Sequence, residues 1–335
     1  MGLMETVLER AKANQQRVAF PEGQDETIMK AAAEAVQAGI ATAVLVGDEA
    51  ELRSLAEGRG INADIFEYSD TTSDEGSDDL VSRYSALPVC QLKEKGIRRR
   101  LSRPLERSMI LQAIGDVDIT FAGKIATTGE VIAAGQALVG LAEGIDVISS
   151  MGIFNIPGFE GPEGSLLGFG DSAVCANPSA DQLASIAISC CETVKALCGW
   201  EPRCALLSYS TCGSSAGELV EKVTEARDIA NSRRPDLAID GEFQLDAAIN
   251  PGIAERKVGR ESAVAGRANI IIWPDLNVGN VGVKLVQQFA HADAYGPMLQ
   301  GFAKVVCDCS RGAGVSEILG NVAMSCVRAQ ALKEA

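Results

Sequence analysis

Four short segments hold the residues of this chain best suited to chemistry, and each follows an apolar run that reads as a strand. Residues 122–131 read Ala-Gly-Lys-Ile-Ala-Thr-Thr-Gly-Glu-Val and offer Lys124, Thr127 and Thr128. Residues 207–215 read Leu-Ser-Tyr-Ser-Thr-Cys-Gly-Ser-Ser and offer Ser208, Tyr209, Ser210 and Thr211. Residues 273–282 read Trp-Pro-Asp-Leu-Asn-Val-Gly-Asn-Val-Gly and offer Asn277, Gly279 and Asn280. Residues 308–317 read Asp-Cys-Ser-Arg-Gly-Ala-Gly-Val-Ser-Glu and offer Ser310 and Arg311. In an open parallel sheet ligands sit at the carboxyl ends of strands. Small hydroxyl residues and glycines there let backbone N–H groups and a helix start approach an oxyanion. Taken together, the four loops point to a phosphate or other anion site. Taken singly, each reads more simply as an ordinary turn capped by Ser, Thr or Asn.

Other chemistries are disfavoured by what the sequence lacks. No loop matches the nucleotide-kinase pattern G-x-x-x-x-G-K-[ST] or the dinucleotide pattern G-x-G-x-x-G. The single histidine, His291, excludes sites that need two from one chain and reads as a structural residue at a helix end. Any general base is then most simply a carboxylate. The ten cysteines include no C-x-x-C pair, so they read as small buried thiols of a reducing compartment. Cys307 and Cys309 are alternating positions of a strand end rather than a reactive pair. Thirty basic against forty-five acidic residues give a net charge of −15, which argues against a nucleic-acid partner. The N-terminus shows no signal-peptide pattern and no apolar stretch approaches the ~20 residues of a membrane span. The expectation is a cytoplasmic protein with no metal.

The elements that must position these loops alternate. Strand candidates lie at 18–20, 42–46, 117–121, 145–148, 204–207, 269–273 and 305–307. Ser179 with Gln182 makes a capping box for an apolar helix over 180–198. Leu219, Val223, Ala226 and Ala230 recur at helical spacing, and a further helix is expected over 317–330. Strands separated by helices imply parallel βαβ units and an α/β architecture. Residues 69–79 read as an exposed acidic loop. Residues 157–170, with five glycines and two prolines, read as a functional loop or an interdomain crossing.

Seven segments occur in a telling order: Phe20-Pro-Glu-Gly, Leu207-Ser-Tyr-Ser-Thr-x-Gly-Ser, Asp240-Gly-Glu-Phe-Gln-Leu-Asp-Ala-Ala, Val264-Ala-Gly-Arg-Ala-Asn, Pro274-Asp-Leu-Asn-Val-Gly-Asn, Tyr295-Gly-Pro-Met-Leu-Gln-Gly and Asp308-Cys-Ser-Arg-Gly. With them the chain resembles the phosphate acetyltransferase and phosphate butyryltransferase family from about residue 5 to 332, most strongly over 201–318. The resemblance implies two α/β domains flanking a cleft, similar to isocitrate and isopropylmalate dehydrogenases. The second domain (150–299) is inserted in the first (1–149 and 300–335) and forms a homodimer. It implies reversible transfer of an acyl group between phosphate and coenzyme A, with coenzyme A and acyl phosphate as partners, no resident cofactor, and acetyl as the favoured group.

By the same resemblance Arg311 binds phosphate, Ser310 donates to the oxyanion and Glu317 deprotonates the thiol of coenzyme A. Glu317 stands where the family has Asp, and equally reads as a carboxylate stabilising the first turn of its helix. Tyr295 and Gln300 join the substrate-binding set through their motif. The chain departs from the family at two arginines, where it has Leu92 and Ala133, and near a cysteine, where it has Phe159. These losses open a second reading, a weak or inactive relative that binds coenzyme A or acyl phosphate as a scaffold. Lys124 either replaces lost charge in the phosphate loop or is ordinary surface charge. Arg98, Arg99, Arg100, Arg103 and Arg107 form a basic run. Arg99, Arg103 and Arg107 at helical spacing read either as a solvated face or as a face for the anionic end of coenzyme A.

Overall fold

A computed structural model describes residues 2–334; Met1, where the N-terminal reading begins, and Ala335 lie outside them. The strands in chain order are β1 (Gln16–Phe20), β2 (Ala41–Gly47), β3 (Glu67–Asp70), β4 (Ile119–Ala122), β5 (Ser149–Asn155), β6 (Leu166–Gly170), β7 (Arg203–Leu207), β8 (Ala238–Phe243), β9 (Ile270–Ile272), β10 (Asp293–Gln300) and β11 (Val305–Asp308). The chain divides into two compact units, Met1–Ala142 with Phe302–Ala335, and Glu143–Gly301.

The first unit holds a five-stranded sheet in the order β11-β4-β1-β2-β3, parallel throughout. Consecutive residues Val18, Ala19 and Phe20 are all fully buried, so helices cover both faces of β1. The helices Leu3–Ala13, Glu26–Gln37 and Val315–Glu334 pack together, and Ser77–Ser85, Glu94–Leu101, Pro104–Ile114 and Thr128–Leu138 form a second group. Caps fix where several of these helices begin. Asp25 accepts from the N–H groups of Thr27 and Ile28 at 2.8 and 3.0 Å, and Asp48 from that of Glu51.

The second unit holds a six-stranded sheet in the order β10-β5-β6-β9-β7-β8. Strands β6, β9, β7 and β8 are parallel, but β5 runs antiparallel to β6 and β10 antiparallel to β5. The sheet thus keeps the expected parallel βαβ units and adds an antiparallel edge of two strands. The expected capping box is in place, with Gln182 N–H donating to Ser179 Oγ at 3.2 Å and Ser179 N–H to Gln182 Oε1 at 3.0 Å.

Several sequence expectations shift, each for a physical reason. Residues 145–148 precede a strand, and β5 begins at Ser149. The Gly/Pro stretch 157–170 ends in β6, an inner strand. Its glycines make room for neighbours, since a Cβ at Gly168 would strike the Met151 side chain of β5 and one at Gly170 the Cys190 sulfur of the helix Ala180–Cys198. Ser69 and Asp70 belong to β3, and a helix starts at Ser77. In the helix Glu218–Arg233 the buried phase starts at Val220, while Leu219 is 62% exposed. Strands β8 and β10 escape sequence patterning because one carries a buried Glu242 and the other a Gly-Pro pair at the sheet edge.

Candidate functional site

Strands β11, β4 and β1 are neighbours, so their carboxyl ends bring three loops together in the first unit. The loop after β1 contributes Glu22, which is 4% exposed. Its two carboxylate oxygens accept the backbone N–H groups of Lys124 and Ala126, both at 2.8 Å. At these two N–H groups the anion cradle expected of the 122–131 loop is therefore filled by the protein's own carboxylate. Gly123 makes the close approach of the β4 and β11 loops possible. Its φ is +114°, and a Cβ there would stand 2.6 Å from the Cys309 nitrogen and collide with the Asp308 carboxylate.

Lys124 faces the β11 loop. Its ammonium donates to the carbonyls of Arg311 at 2.7 Å and Ala313 at 3.1 Å, which makes it a brace between loops. Thr127 caps the helix Thr128–Leu138 through a reciprocal pair with Glu130. Thr128 donates its hydroxyl to Asp308 at 2.7 Å, a second tie between the same two loops. Burial pushes the Asp308 carboxyl up to about 6, against the opposing pull of the Thr128 bond and with a further push from Glu22. The other carboxylate oxygen of Asp308 is buried without a hydrogen-bond partner.

These ties hold Ser310, Arg311 and Glu317 at the entry to the helix Val315–Glu334. All three are exposed. The Ser310 Oγ accepts the Gly312 N–H at 3.2 Å, which leaves its hydroxyl proton to donate outward. The Arg311 guanidinium has no hydrogen bond or ion pair among the described residues, yet its charge helps to lower the Glu130 carboxyl, after the bonds from Thr127. Glu317 lies in the first helical turn, where helix dipole and solvent both reach it. Burial pushes the Cys309 thiol far up and the Cys307 thiol up to about 12, so neither is a ready nucleophile.

The arginine run does not form one face. The helix Glu94–Leu101 ends before Arg103, which caps a new helix, Pro104–Ile114, opened by its proline. Arg107 is buried, bonded to the Ser69 hydroxyl at 2.8 Å and the Leu101 carbonyl at 3.2 Å. Arg98 pairs with Asp78 and Glu94, and Arg103 with Glu106.

The other predicted residues lie in the second unit. Ser210 donates to buried Glu242 at 2.8 Å, and Thr211 Oγ accepts the Gln244 N–H at 2.9 Å, so both shape the turn after β7. Glu242 also accepts the Gly213 N–H at 2.8 Å, the same device as Glu22 in the first unit. Ser208 accepts the Ser210 N–H at 3.3 Å, and Tyr209 projects outward, exposed. Asn277 and Asn280 stand on the first turns of the helix Leu276–Ala290, with Asn280 donating to the Ser172 carbonyl at 3.3 Å. Gly279 is a packing glycine, because a Cβ there would lie 2.9 Å from the Trp273 ring. Tyr295 lies on β10, partly buried. Gln300, expected among the substrate-binding residues, lies in the core of this unit. It is 2% exposed and bonded to Thr193, Ser149 and Cys190. His291 ends its helix in the left-handed region, φ 53°, in keeping with a structural role. Phe159 packs against the core of this unit.

The residues sequence reasoning missed are Glu22, Asp308 and Glu242. Each lay inside a quoted motif, but its partners are backbone groups or a hydroxyl on distant loops.

Comparison with known proteins gives the family. The family described as phosphate acetyl/butaryl transferase matches residues 2–326. The chain is 39% identical to the phosphate acetyltransferase of Clostridium acetobutylicum over 98% of this chain and 99% of that one. It is 37% identical to the phosphate acetyltransferase of Acetivibrio thermocellus, over 99% of this chain and all of the relative. The solved structure of a phosphotransacetylase from Streptococcus pyogenes superposes with a TM-score of 0.90 at 31% identity, covering 99% of this chain and 98% of that one. The α/β fold and these full-length matches lead to one conclusion: the chain belongs to the phosphate acetyl/butaryl transferase family.

Proposed function

We propose that this chain is a phosphate acetyltransferase, moving an acyl group between phosphate and coenzyme A. The observation that carries the reading is the unpaired Arg311 guanidinium, held by the Lys124 brace beside Ser310 and the start of the helix Val315–Glu334. An unpaired guanidinium among braced loops is suited to two parallel bonds with a phosphoryl group. In the forward direction the thiol of coenzyme A gives its proton to Glu317 as sulfur attacks the acyl carbonyl. A C–S bond forms, and the carbonyl oxygen becomes an oxyanion that the Ser310 hydroxyl meets. The C–O bond to phosphate then breaks, and Arg311 holds the departing phosphate. Fixed donors and proximity supply the rate. Acetyl is the favoured group. The scaffold alternative has nothing in its favour, since the relatives are named for the activity.

The chain also works as a homodimer in the cytoplasm. Support for the dimer comes from the helix Leu276–Ala290, where Val278, Val281, Leu285 and Phe289 form an exposed apolar stripe. The cysteines stand as free thiols, as a reducing compartment requires. No helix of the described residues is long and apolar enough to cross a membrane.

The deciding experiment is coenzyme-A-dependent phosphate release from acetyl, propionyl and butyryl phosphate, with wild type and Arg311→Ala. Turnover that Arg311→Ala cuts by about 100-fold or more supports the reading. No turnover from folded protein with any of the three sinks it.

A further inference from the structure

Asp308 closes strand β11 and stands just before Cys309, Ser310 and Arg311. One of its carboxylate oxygens accepts the hydroxyl of Thr128, the first residue of the helix Thr128–Leu138, at 2.7 Å. The other oxygen is buried without a hydrogen-bond partner and faces Gly123, where only the lack of a side chain leaves it room. No cation answers this carboxylate among the described residues. What acts on it is burial, the Thr128 hydroxyl and the Glu22 carboxylate from the β1 loop. The other charges around it are directed elsewhere. Lys124 of the β4 loop donates to the carbonyls of Arg311 and Ala313, and Glu130 of the helix Thr128–Leu138 is turned to Thr127. On the helix Val315–Glu334, Glu317 is exposed and Arg328 acts on Cys307. Burial keeps the thiols of Cys307 and Cys309 neutral. A half-buried carboxylate without a cation works against the fold, and an uncharged acceptor would serve Thr128 at less cost. Such a conflict beside a loop that carries Ser310 and Arg311 points to a requirement of function.

We propose that Asp308 is a positioning residue for the acyl transfer, whose ionised carboxylate ties the β11 loop to the start of the helix Thr128–Leu138 and so holds Ser310 and Arg311 in place. This deepens the reaction proposed above and rests on it. Asp308 touches no reacting atom and acts through the residues that follow it. The charge matters because a hydrogen bond to an ionised acceptor is about twice as strong as a neutral one. A proton on the oxygen that faces Thr128 turns that hydroxyl from donor to acceptor. A proton on the buried oxygen leaves Thr128 only a neutral, weaker acceptor. Activity and stability therefore respond to this carboxyl in opposite directions. The neutral acid suits the fold, and the anion suits the transfer.

The test compares wild type with Asp308→Asn in kcat/KM for acetyl phosphate, with coenzyme A saturating, between about pH 5 and 8, beside thermal denaturation. Wild type is expected to gain activity as pH rises through about 6, where Asp308 loses its proton. Asp308→Asn is expected to lose that limb. At pH 8 it should turn over about tenfold to a hundredfold more slowly, with a melting temperature no lower than that of wild type. A limb that came from the ionisation of acetyl phosphate would persist in the variant. His291, the one imidazole of the chain, lies in the second unit. Thr128→Val removes the bond that holds the carboxyl down, so its limb should move to higher pH, and Thr128→Ser should bring it back. A purely structural role would lower rate and melting temperature together at pH 8, and that result overturns the proposal. So does an unmoved limb in Thr128→Val. Turnover in wild type that Asp308→Asn keeps in full sinks the proposal alone. Folded wild type without turnover sinks the acyl transfer and the proposal with it.

Discussion

The ammonium of Lys124 donates to the main-chain carbonyl of Arg311 at 2.7 Å. A lysine from the β4 loop therefore fixes the backbone of the arginine in the β11 loop and leaves its guanidinium to a ligand. Lys124 also reaches the Ala313 carbonyl, which sets the entry to the helix that carries Glu317. The brace should matter to the rate more than to the fold, because its bonds lie at the rim. Lys124→Met is expected to lower kcat by about tenfold to a hundredfold, as a misplacement of order 1 Å does. Its melting temperature should move by only a few degrees. Were Lys124 a direct phosphate ligand, KM for acyl phosphate would rise instead with kcat little changed. Steady-state kinetics beside thermal denaturation decide between the two.

The β4 and β11 loops also depend on the absence of a side chain at Gly123. A methyl group there has backbone of Cys309 on one side and the Asp308 carboxylate on the other, and φ is +114°. Gly123→Ala is expected to destabilise by about 3 kcal/mol or more, since the Cys309 backbone cannot yield. Gly129 is the matched control. A Cβ there meets nothing closer than the Thr127 hydroxyl at 4.0 Å, and the position is helical. Gly129→Ala should be neutral or stabilise by up to about 1 kcal/mol. Urea denaturation of the two variants measures the contrast.

The frame was legible where periodicity and capping act locally. The bounds of Ala180–Cys198 could be read from Ser179 and Gln182, and β1, β2, β7 and β11 from short runs of Val, Leu and Ala. The second sheet was less legible because β6 trades side chains for glycines to seat Met151 of β5 and Cys190 of a helix, which makes a strand look like a loop. In the site, residue types were enough to find the loops but not to say which donors are free. The N–H groups of Lys124 and Ala126 look available until Glu22, a hundred residues earlier, is seen to fill them. Arg99, Arg103 and Arg107 share a face only on an unbroken helix, and Pro104 breaks it. Gln300 is bonded to Thr193 in the core, a packing relationship that a sequence motif cannot display.

Asp308 gives the fold a pH dependence of unusual sign. Burial raises its carboxyl from 3.8 to about 6, so the native state holds the proton more tightly than the unfolded chain. Between those values the native state binds more protons than the unfolded one, and stability falls as pH rises through the window. The loss is complete above about pH 7. After allowance for partial solvent access it amounts to roughly 1–2 kcal/mol. Asp308→Asn keeps an acceptor for Thr128 and removes the charge. It should be more stable than wild type by about that amount at pH 8 and equal to it at pH 4. An equal gap at both pH values would mean that the charge is not the cause. Glu22 adds to the rise, so Glu22→Gln should narrow the window from its upper end.

The stripe on the helix Leu276–Ala290 tests the assembly. Val278, Val281, Leu285 and Phe289 follow one another at spacings of three and four, and Phe289 is 82% exposed. Lys284 is the only charged residue of that helix in a chain of net charge −15, so two copies can meet there without the repulsion expected elsewhere. A two-fold pairing would bury the same side chains from both copies. Each large apolar residue covered contributes about 1.5–3 kcal/mol relative to exposure. Replacing Leu285 and Phe289 by Asp puts two carboxylates per copy against their counterparts. That double variant is expected to sediment as a monomer at concentrations where wild type is a dimer, with its circular dichroism unchanged. A variant that stays dimeric would move the interface off this helix.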